Sequence, residues 1–168
     1  EKKRALHLIT ASRLTREKGR MRMEQLAKAL RDKDIPFIWE VFSDDLQPFG
    51  DPCITVMKPC LDILPYIAAA DYLVQLSDTE AYSYSILEAL CVGTPVIITP
   101  LPLISDMDIR DGVNGFILPF EMDNIPAEKI ARGLKGFRYT PQPDPYEKLL
   151  EPGKPDYEED IHRSVEIK

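Results

Sequence analysis

Short apolar stretches alternate with segments of helical periodicity along most of the chain. The stretches typical of strands lie at residues 6–10, 37–42, 54–57, 72–76, 96–99 and 116–118. Helical periodicity predicts helices at about residues 17–31, 63–70, 84–91 and 126–134. In the first helix the apolar residues recur at one-turn spacing, namely Met23, Leu26, Ala27 and Leu30. A cluster of Asp, Gly and Asn at residues 111–115 predicts a turn.

Strands that alternate with helices favour a mainly parallel sheet with helices on both faces, because each crossover returns the chain to the same end of the sheet. The uninterrupted apolar segment from Val96 to Ile98 agrees with burial on both faces. The predicted fold is therefore α/β, a Rossmann-like three-layer sandwich, over residues 1–138. Residues 139–168 are predicted to form a Pro-rich acidic tail, since their prolines exclude a regular strand or a long helix.

Composition and charge narrow the classes of function. With 44% hydrophobic and 29% charged residues, the chain of 168 residues has the composition of one soluble globular domain. Its net charge of -7 argues against binding to nucleic acid or to an anionic membrane, because both require a basic surface. The longest apolar run is interrupted by Gly and Pro, so no membrane span is predicted. We expect a cytoplasmic protein, and the first residue, Glu1, predicts a fragment of a longer one.

The cysteines and histidines predict neither a zinc site nor a disulfide framework. Cys53, Cys60 and Cys91 are odd in number, lack Cys-x-x-Cys spacing and are accompanied by two histidines only. Such cysteines are compatible with a reducing compartment. We expect each of them to be a small buried hydrophobic residue.

The loop after the first predicted strand is strongly basic. Five positive side chains lie within residues 12–22: Arg13, Arg16, Lys18, Arg20 and Arg22. They precede or begin a predicted helix for which Thr15 is the expected N-cap. Cations at the N-terminus of a helix destabilise it by about 0.3–1 kcal/mol each, because the helix dipole is positive there. With a bound anion the same cations become stabilising, since helix amides together with Arg and Lys form a phosphate site. The charge pattern alone is also compatible with a solvated basic surface.

A second unusual loop follows the strand at residues 72–76. Glu80 lies in this loop, and Glu88 lies about one turn inside the helix that begins near Tyr84. On a helical wheel Tyr84, Ser85 and Glu88 share a polar face. The apolar residues are predicted to face the core, namely Ile86, Leu87, Leu90 and Cys91.

Both carboxylates can therefore reach one corner, into which the amides of residues 82–85 point. A nucleotide sugar suits such a corner, because its diphosphate is flanked by two hydroxyl-rich rings and its charge would be compensated by Arg13 and Lys18. An ordinary amphipathic helix with a solvated Glu88 fits the wheel equally well.

Four motifs, in order, resemble those of retaining glycosyltransferases with the two-domain GT-B fold. Residues 13–19, Arg-Leu-Thr-Arg-Glu-Lys-Gly, resemble the Arg-Leu-x-x-Glu-Lys-Gly motif. Glu80 and Glu88 match the paired-glutamate motif of this family-four-like group, and residues 88–97 resemble its Glu-Ala-(apolar)-x-x-Gly-x-Pro-Val-Ile continuation. Residues 111–116 are similar to its Asp-Gly-x-Asn-Gly turn. Together the motifs make the chain similar to the C-terminal, donor-binding domain of such an enzyme.

This resemblance implies a role for individual residues. Arg13 and Lys18 would grip the donor diphosphate, Glu88 would accept hydrogen bonds from the ribose hydroxyls, and Glu80 would contact the transferred sugar. The implied donor site also contains the loop whose amides would cradle a phosphate, with the residues Ala81, Tyr82, Ser83, Tyr84 and Ser85.

The implied catalytic residues are Glu80, Arg13 and Lys18. No cofactor and no metal ion are implied, because fixed positive groups would stabilise the leaving diphosphate. Glu80 is not assigned as a nucleophile, since the family mechanism is generally interpreted as a front-face displacement.

The chain also departs from the family pattern. Ala81 and Ser83 stand where glycines are usual, and residues 42–45 read Phe-Ser-Asp-Asp after the second strand instead of Gly-Asp-Gly. The Ala-Tyr-Ser-Tyr-Ser variant and residues 137–141 resemble bacterial enzymes of capsule or exopolysaccharide assembly. A GT-B enzyme also needs an N-terminal acceptor domain, for which this chain has no room. We therefore expect no transfer by the isolated chain, and membrane contact, if any, only through the missing domain.

Three other hypotheses remain open. A sugar-nucleotide epimerase has a related two-domain fold. A flavodoxin-like or receiver-like signalling module would use an acidic cluster and a lysine at the carboxyl edge of the sheet, which Asp44, Asp45 and Asp78 match only in part. A purely interacting domain would have lost its donor site.

Overall fold

The computed structural model describes residues 4–141, and these form one six-stranded parallel sheet with flanking helices. The strands are β1 (Leu6–Ala11), β2 (Phe37–Phe42), β3 (Ile54–Met57), β4 (Tyr72–Gln75), β5 (Val96–Ile98) and β6 (Gly115–Ile117). The helices are α1 (Arg20–Arg31), α2 (Leu64–Ala69), α3 (Tyr84–Cys91) and α4 (Ala127–Arg132), with short 3-10 turns at Arg16–Lys18 and Pro102–Ile104. The predicted α/β sandwich is confirmed, and residues 142–168 of the predicted tail lie outside the described part.

The strand order is β3-β2-β1-β4-β5-β6, so the chain moves outward from β1 in one direction and then from β4 in the other. This is the order of doubly wound nucleotide-binding sheets, which reverse direction between the two central strands. Ligands of such sheets bind outside the carboxyl ends of the strands at this reversal. The loops after β1 and β4 therefore meet where a ligand site is expected.

Two apolar layers cover the sheet. The first places Met23, Leu26 and Leu30 of α1 and Ile130 of α4 against one face. The second places Ile67 of α2 and the α3 residues Ile86, Ala89 and Leu90 against the other face. Because strand side chains alternate between faces, β4 sends Val74 into the first layer and Leu73 into the second. Among the described residues, no helix is both long and apolar enough to cross a bilayer.

Buried polar side chains also join the three central strands. The indole Nε1 of Trp39 donates a hydrogen bond to Thr10 Oγ1 at 3.0 Å, and Thr10 Oγ1 donates to the carbonyl oxygen of Val74 at 2.8 Å. Trp39 is fully buried, so its N–H needs such a partner. The bonds link β2 to β1 and β1 to β4.

The predicted start of the first helix is wrong. The chain forms a 3-10 turn at Arg16–Lys18, Gly19 adopts a left-handed conformation with φ of 84°, and α1 begins at Arg20 instead of Glu17. Thr15 makes no capping hydrogen bond, and within the described chain its enclosed hydroxyl has no partner. The glycine ends the first turn because only a residue without a side chain adopts this conformation at low cost.

The expected burial of the cysteines is also wrong. Cys53 is half-buried, Cys60 and Cys91 are exposed, and all three are free thiols. Cys60 lies in the loop after β3, and Cys91 lies in the last turn of α3, where the helix leaves the sheet. Ala89 occupies the buried position of α3 that the helical wheel had assigned to Cys91.

The turn at residues 111–115 forms as predicted and holds β6 against β5. Asn114 is buried, accepts a hydrogen bond from the amide of Arg110 at 2.7 Å and donates one to the carbonyl of Asp108 at 2.9 Å. A Cβ atom at Gly115 would lie 2.6 Å from the carbonyl oxygen of Val96. The glycine is therefore required by the close approach of the two strands.

We predict that Gly115→Ala lowers the free energy of unfolding by about 1–3 kcal/mol, because the added methyl group overpacks the β5–β6 contact. Urea denaturation followed by circular dichroism measures the loss. Gly50→Ala is the matched control, since nothing lies within 4 Å of its Cβ position, and it should change stability by less than about 0.5 kcal/mol. Equal stability of the Gly115→Ala variant and the control would contradict this packing argument.

Candidate functional site

The candidate site lies at the carboxyl edge of the sheet, between the loops that follow β1 and β4. Lys18 Nζ lies 2.5 Å from Glu80 Oε1, so an ammonium group and a carboxylate, 62 residues apart in sequence, form an ion pair there. Both side chains are largely enclosed, with 21% and 12% of their surface exposed. Two of the three residues predicted to be catalytic are therefore neighbours in space.

Backbone contacts bring the two loops together. The amide of Asp78 donates a hydrogen bond to the carbonyl of Glu17 at 2.7 Å. A Cβ atom at Gly19 would lie 2.0 Å from the carbonyl oxygen of Leu76, a distance that no side chain tolerates. The glycine of the Arg-Leu-Thr-Arg-Glu-Lys-Gly segment thus allows the loop after β1 to lie directly on the end of β4.

Glu80 is held by two further donors. Gln75 Nε2 donates to Glu80 Oε1 at 2.7 Å, and Ser77 Oγ donates to the same oxygen at 3.1 Å. Ser77 is fully buried, and Gln75 is 7% exposed. One carboxylate oxygen therefore receives one charged and two neutral hydrogen bonds.

The start of α3 belongs to the same polar cluster. Ser83 is the N-cap of α3, and its Oγ accepts from the amide of Ile86 at 3.5 Å. The hydroxyls of Ser83 and Ser85 both donate to Gln75 Oε1 at 3.0 Å and lie 3.1 Å from each other. Ser83, which replaces the usual glycine of the family pattern, thus caps the helix and connects it to β4.

Two of the five cations in the basic segment are used to hold the structure. Arg20 donates to the carbonyl oxygens of Gln47 and Pro48 at 3.1 and 2.6 Å, and its guanidinium lies 4.1 Å from the centre of the Phe49 ring. These contacts fasten the loop after β2 to the first turn of α1.

Arg22 joins α1 to two other loops. It donates to the carbonyl of Leu76 at 2.9 Å and to that of Phe120 at 3.0 Å, and it forms an ion pair with Asp78 at 2.6 Å. The loops after β4 and β6 are thereby fixed relative to each other. Asp78, which the signalling-module hypothesis required as part of an acidic cluster, is engaged in this contact.

Three predicted site residues, Arg13, Glu88 and Ala81, are exposed, as is Arg16 of the basic segment. Arg13 and Arg16 are exposed, and neither side chain forms a hydrogen bond or ion pair within residues 4–141. Glu88 is also exposed on α3 and has no side-chain partner in that part of the chain. Ala81 is exposed in the loop. All four of these residues, Arg13, Arg16, Ala81 and Glu88, therefore present their side chains to solvent.

Aromatic residues form one border of the site. Tyr82 is half-buried, Tyr84 is 72% exposed, and their rings pack edge to face with centroids 5.4 Å apart. Phe137 and Tyr139, which follow α4, pack against the same apolar layer as Tyr82. Burial raises the pKa of the Tyr139 phenol, with smaller contributions from nearby Cys91, Tyr82 and Asp108.

The sheet has a cavity at one edge and the cluster of polar side chains at the other. A cavity of about 740 Å³ lies at the amino edge, where Leu6, Tyr72 and Pro95 begin or precede β1, β4 and β5. None of the predicted site residues lines it, and two of its charged groups, Lys33 and Glu128, form an ion pair with each other. We assign the site to the carboxyl edge because the convergent polar side chains are there. Within the described residues, no group of His, Cys, Asp or Glu is arranged to hold a metal ion.

Sequence reasoning missed Gln75, Ser77 and the anchoring role of Arg22. A signal for the first was present, since Gln75 is the one amide in the otherwise apolar segment of residues 72–76. A polar residue at the end of a buried strand needs partners, and the carboxyl edge of the sheet is where they would be found.

Three solved structures show the same fold. TarM aligns with a TM-score of 0.64 and 18% identity over 77% of this chain, and the Anabaena protein HepE in complex with UDP-glucose aligns with 0.62 and 22% over 76%. The pneumococcal O-GlcNAc transferase GtfA in complex with UDP and GlcNAc aligns with 0.59 and 21% over 76%. This chain covers 29%, 38% and 27% of those proteins, respectively.

No curated protein matches the sequence. The sequence profile of one family, described as glycosyl transferases group 1, matches residues 7–135, which is most of the chain. This match favours the glycosyltransferase hypothesis over the epimerase, signalling-module and interaction hypotheses. The chain therefore belongs to the group 1 family of glycosyl transferases.

Proposed function

We propose that this chain is the donor-binding part of a retaining glycosyltransferase and holds a nucleotide diphosphate sugar at the carboxyl edge of its sheet. The Lys18–Glu80 contact of 2.5 Å supports the proposal most directly. It joins a cation suited to phosphate and a carboxylate suited to sugar hydroxyls at the reversal of a doubly wound sheet. A site of this composition fits a ligand that carries both groups.

The diphosphate is bound by positive groups from both loops. Arg13 is available because it has no partner among the described residues, and Lys18 is already directed into the site by Glu80. The first amides of α3, in residues 82–85, add partial positive charge. Since these groups are in place before the reaction, they stabilise the leaving diphosphate without a metal ion.

The two glutamates bind the hydroxyl groups on either side of the diphosphate. Glu88 is exposed on α3 and accepts hydrogen bonds from the ribose. Glu80 is enclosed beside Lys18 and accepts them from the transferred sugar. Three donors already stabilise the Glu80 anion at Oε1, which makes it a weaker nucleophile and supports a front-face displacement with retention.

A uridine diphosphate sugar is the first donor to test. Among the similar structures, GtfA is in complex with UDP and GlcNAc, and HepE is in complex with UDP-glucose. The chain spans 27–38% of the lengths of the three similar proteins, so a further part of the enzyme would bind the acceptor. We propose a bacterial glycan or a lipid-linked saccharide as that acceptor. The free thiols agree with a cytoplasmic location.

Calorimetry with UDP-glucose should show binding by the wild-type chain and weaker binding by two variants. Lys18→Ala should lose about 10- to 100-fold in affinity, because a charge-assisted contact with the diphosphate disappears. Glu88→Ala should lose about 10-fold for UDP-glucose and for UDP alone, since both contain the ribose. Parallel titrations with GDP and ADP sugars identify the preferred base.

Lys28→Ala and Glu128→Ala are the matched controls, because both residues form exposed ion pairs away from the carboxyl edge. Their affinities should equal that of the wild type. If the wild-type chain binds none of the nucleotide sugars and no free nucleotide, the proposed function is overturned and an interaction domain is favoured.

The isolated chain should bind the donor but transfer no sugar. Most of the acceptor site would lie in the further part of the enzyme, and closure between the two parts would exclude water from the reaction. Mass spectrometry of acceptor glycans incubated with UDP-glucose and this chain measures transfer. The complete enzyme serves as the positive control, and turnover by the chain alone would contradict the proposed division of labour.

A further inference from the structure

The side chain of Gln75 connects the carboxylate of the proposed sugar site to the first turn of α3. Its Nε2 lies 2.7 Å from Glu80 Oε1, and its Oε1 lies 3.0 Å from the hydroxyls of both Ser83 and Ser85. This one amide therefore contacts three residues of the implied donor site. Gln75 is 7% exposed and lies at the end of β4, so it is poorly placed to contact a donor itself.

The chemistry of the partners determines the orientation of this amide. A carboxylate only accepts hydrogen bonds, so the NH₂ group of Gln75 must face Glu80. The carbonyl oxygen then faces Ser83 and Ser85, whose hydroxyls donate to it. A reversed amide would place two acceptors, Gln75 Oε1 and Glu80 Oε1, against each other. The hydroxyls can donate or accept, so it is the carboxylate of Glu80 that fixes the amide in one orientation.

Lys18 and Gln75 hold Glu80 in different ways. In the proposed complex the Lys18 ammonium is shared with the donor diphosphate, which competes with Glu80 for its hydrogen bonds. Gln75 and Ser77 are neutral donors below the site, and an anionic ligand does not draw them away. All three donors engage Oε1, so none of them occupies Oε2. The neutral donors can thus hold the carboxylate while Oε2 faces a sugar hydroxyl.

We propose that Gln75 is a positioning residue, which holds Glu80 in the arrangement that binds the sugar of the donor. This inference rests on the proposed function and deepens it. The chain has Ser83 where the family pattern has glycine, and Gln75 accepts the hydrogen bond of that serine. The serine and the glutamine therefore act as a pair, in which the serine caps α3 and the glutamine connects it to Glu80.

The test compares the affinities of UDP-glucose and UDP for this chain and its variants. Gln75→Met keeps the length of the side chain and removes both hydrogen-bonding ends. It should weaken the binding of UDP-glucose about 3- to 10-fold, because Glu80 contacts the sugar. The binding of UDP should be unchanged, because Ser83 still caps α3 through the amide of Ile86 and the amides of residues 82–85 keep their place. Gln75→Asn, which retains a shortened amide, should recover part of the affinity.

A double-mutant cycle shows whether Gln75 acts through Glu80. In a Glu80→Ala background, Gln75→Met should cause no further loss of UDP-glucose affinity, because the group that it positions is gone. Additive losses would overturn the inference. Thr94→Val is the control for a lost buried hydrogen bond, since Thr94 Oγ1 donates to the carbonyl of Ile67 away from the carboxyl edge. This variant should bind both ligands like the wild type.

The remaining outcomes separate the inference from the proposed function. Equal weakening of UDP and UDP-glucose by Gln75→Met would show a merely structural role and would overturn the inference. Wild-type affinity of Gln75→Met for UDP-glucose would overturn it as well. If the wild-type chain binds neither UDP-glucose nor UDP, the proposed function itself is overturned, independently of the results for the variants. Thermal unfolding of each variant identifies any that does not fold, and for those Gln75→Asn supplies the comparison.

Discussion

The close contact between Gly19 and the carbonyl oxygen of Leu76 is the constraint on which the candidate site depends. Because Gly19 has no side chain, the loop after β1 can lie directly on the end of β4. The amide of Asp78 can then donate a hydrogen bond to the carbonyl of Glu17. This arrangement places Lys18 within 2.5 Å of Glu80. A larger residue at position 19 would separate the two loops and, with them, the ammonium and the carboxylate.

The polar cluster around Glu80 is stable because each of its buried groups has a partner. Gln75 and Ser77 are almost fully buried, and an unpaired group of this kind costs about 1–3 kcal/mol. Their hydrogen bonds avoid this cost and at the same time hold the carboxylate in place. The stability of this edge and the placement of the Glu80 carboxylate therefore depend on the same contacts.

The basic segment after β1 contains cations of two kinds. Arg20 and Arg22 bind backbone carbonyls and aromatic rings and so hold neighbouring loops, whereas Arg13 and Arg16 are exposed. Lys18 belongs to neither kind, because it is paired with Glu80, a carboxylate of the candidate site. Charge counting along the segment treats all five residues alike. In the structure, Arg20 and Arg22 are engaged in holding loops, Lys18 is paired with Glu80, and Arg13 and Arg16 have no side-chain partner among the described residues.

The sequence by itself determined the elements, the α/β class and the family, because apolar periodicity and short motifs are local properties. It also located the turn at 111–115, where Asn114 bonds to the backbone of Arg110 and Asp108, a few positions away. The start of α1, the exposure of Cys91 and the partners of Glu80 were decided by the tertiary structure. Lys18 and Glu80 are 62 residues apart and meet because β1 and β4 are neighbours in the sheet. The order of the strands follows from the packing of whole helices against the sheet, and a local sequence pattern carries no information about it.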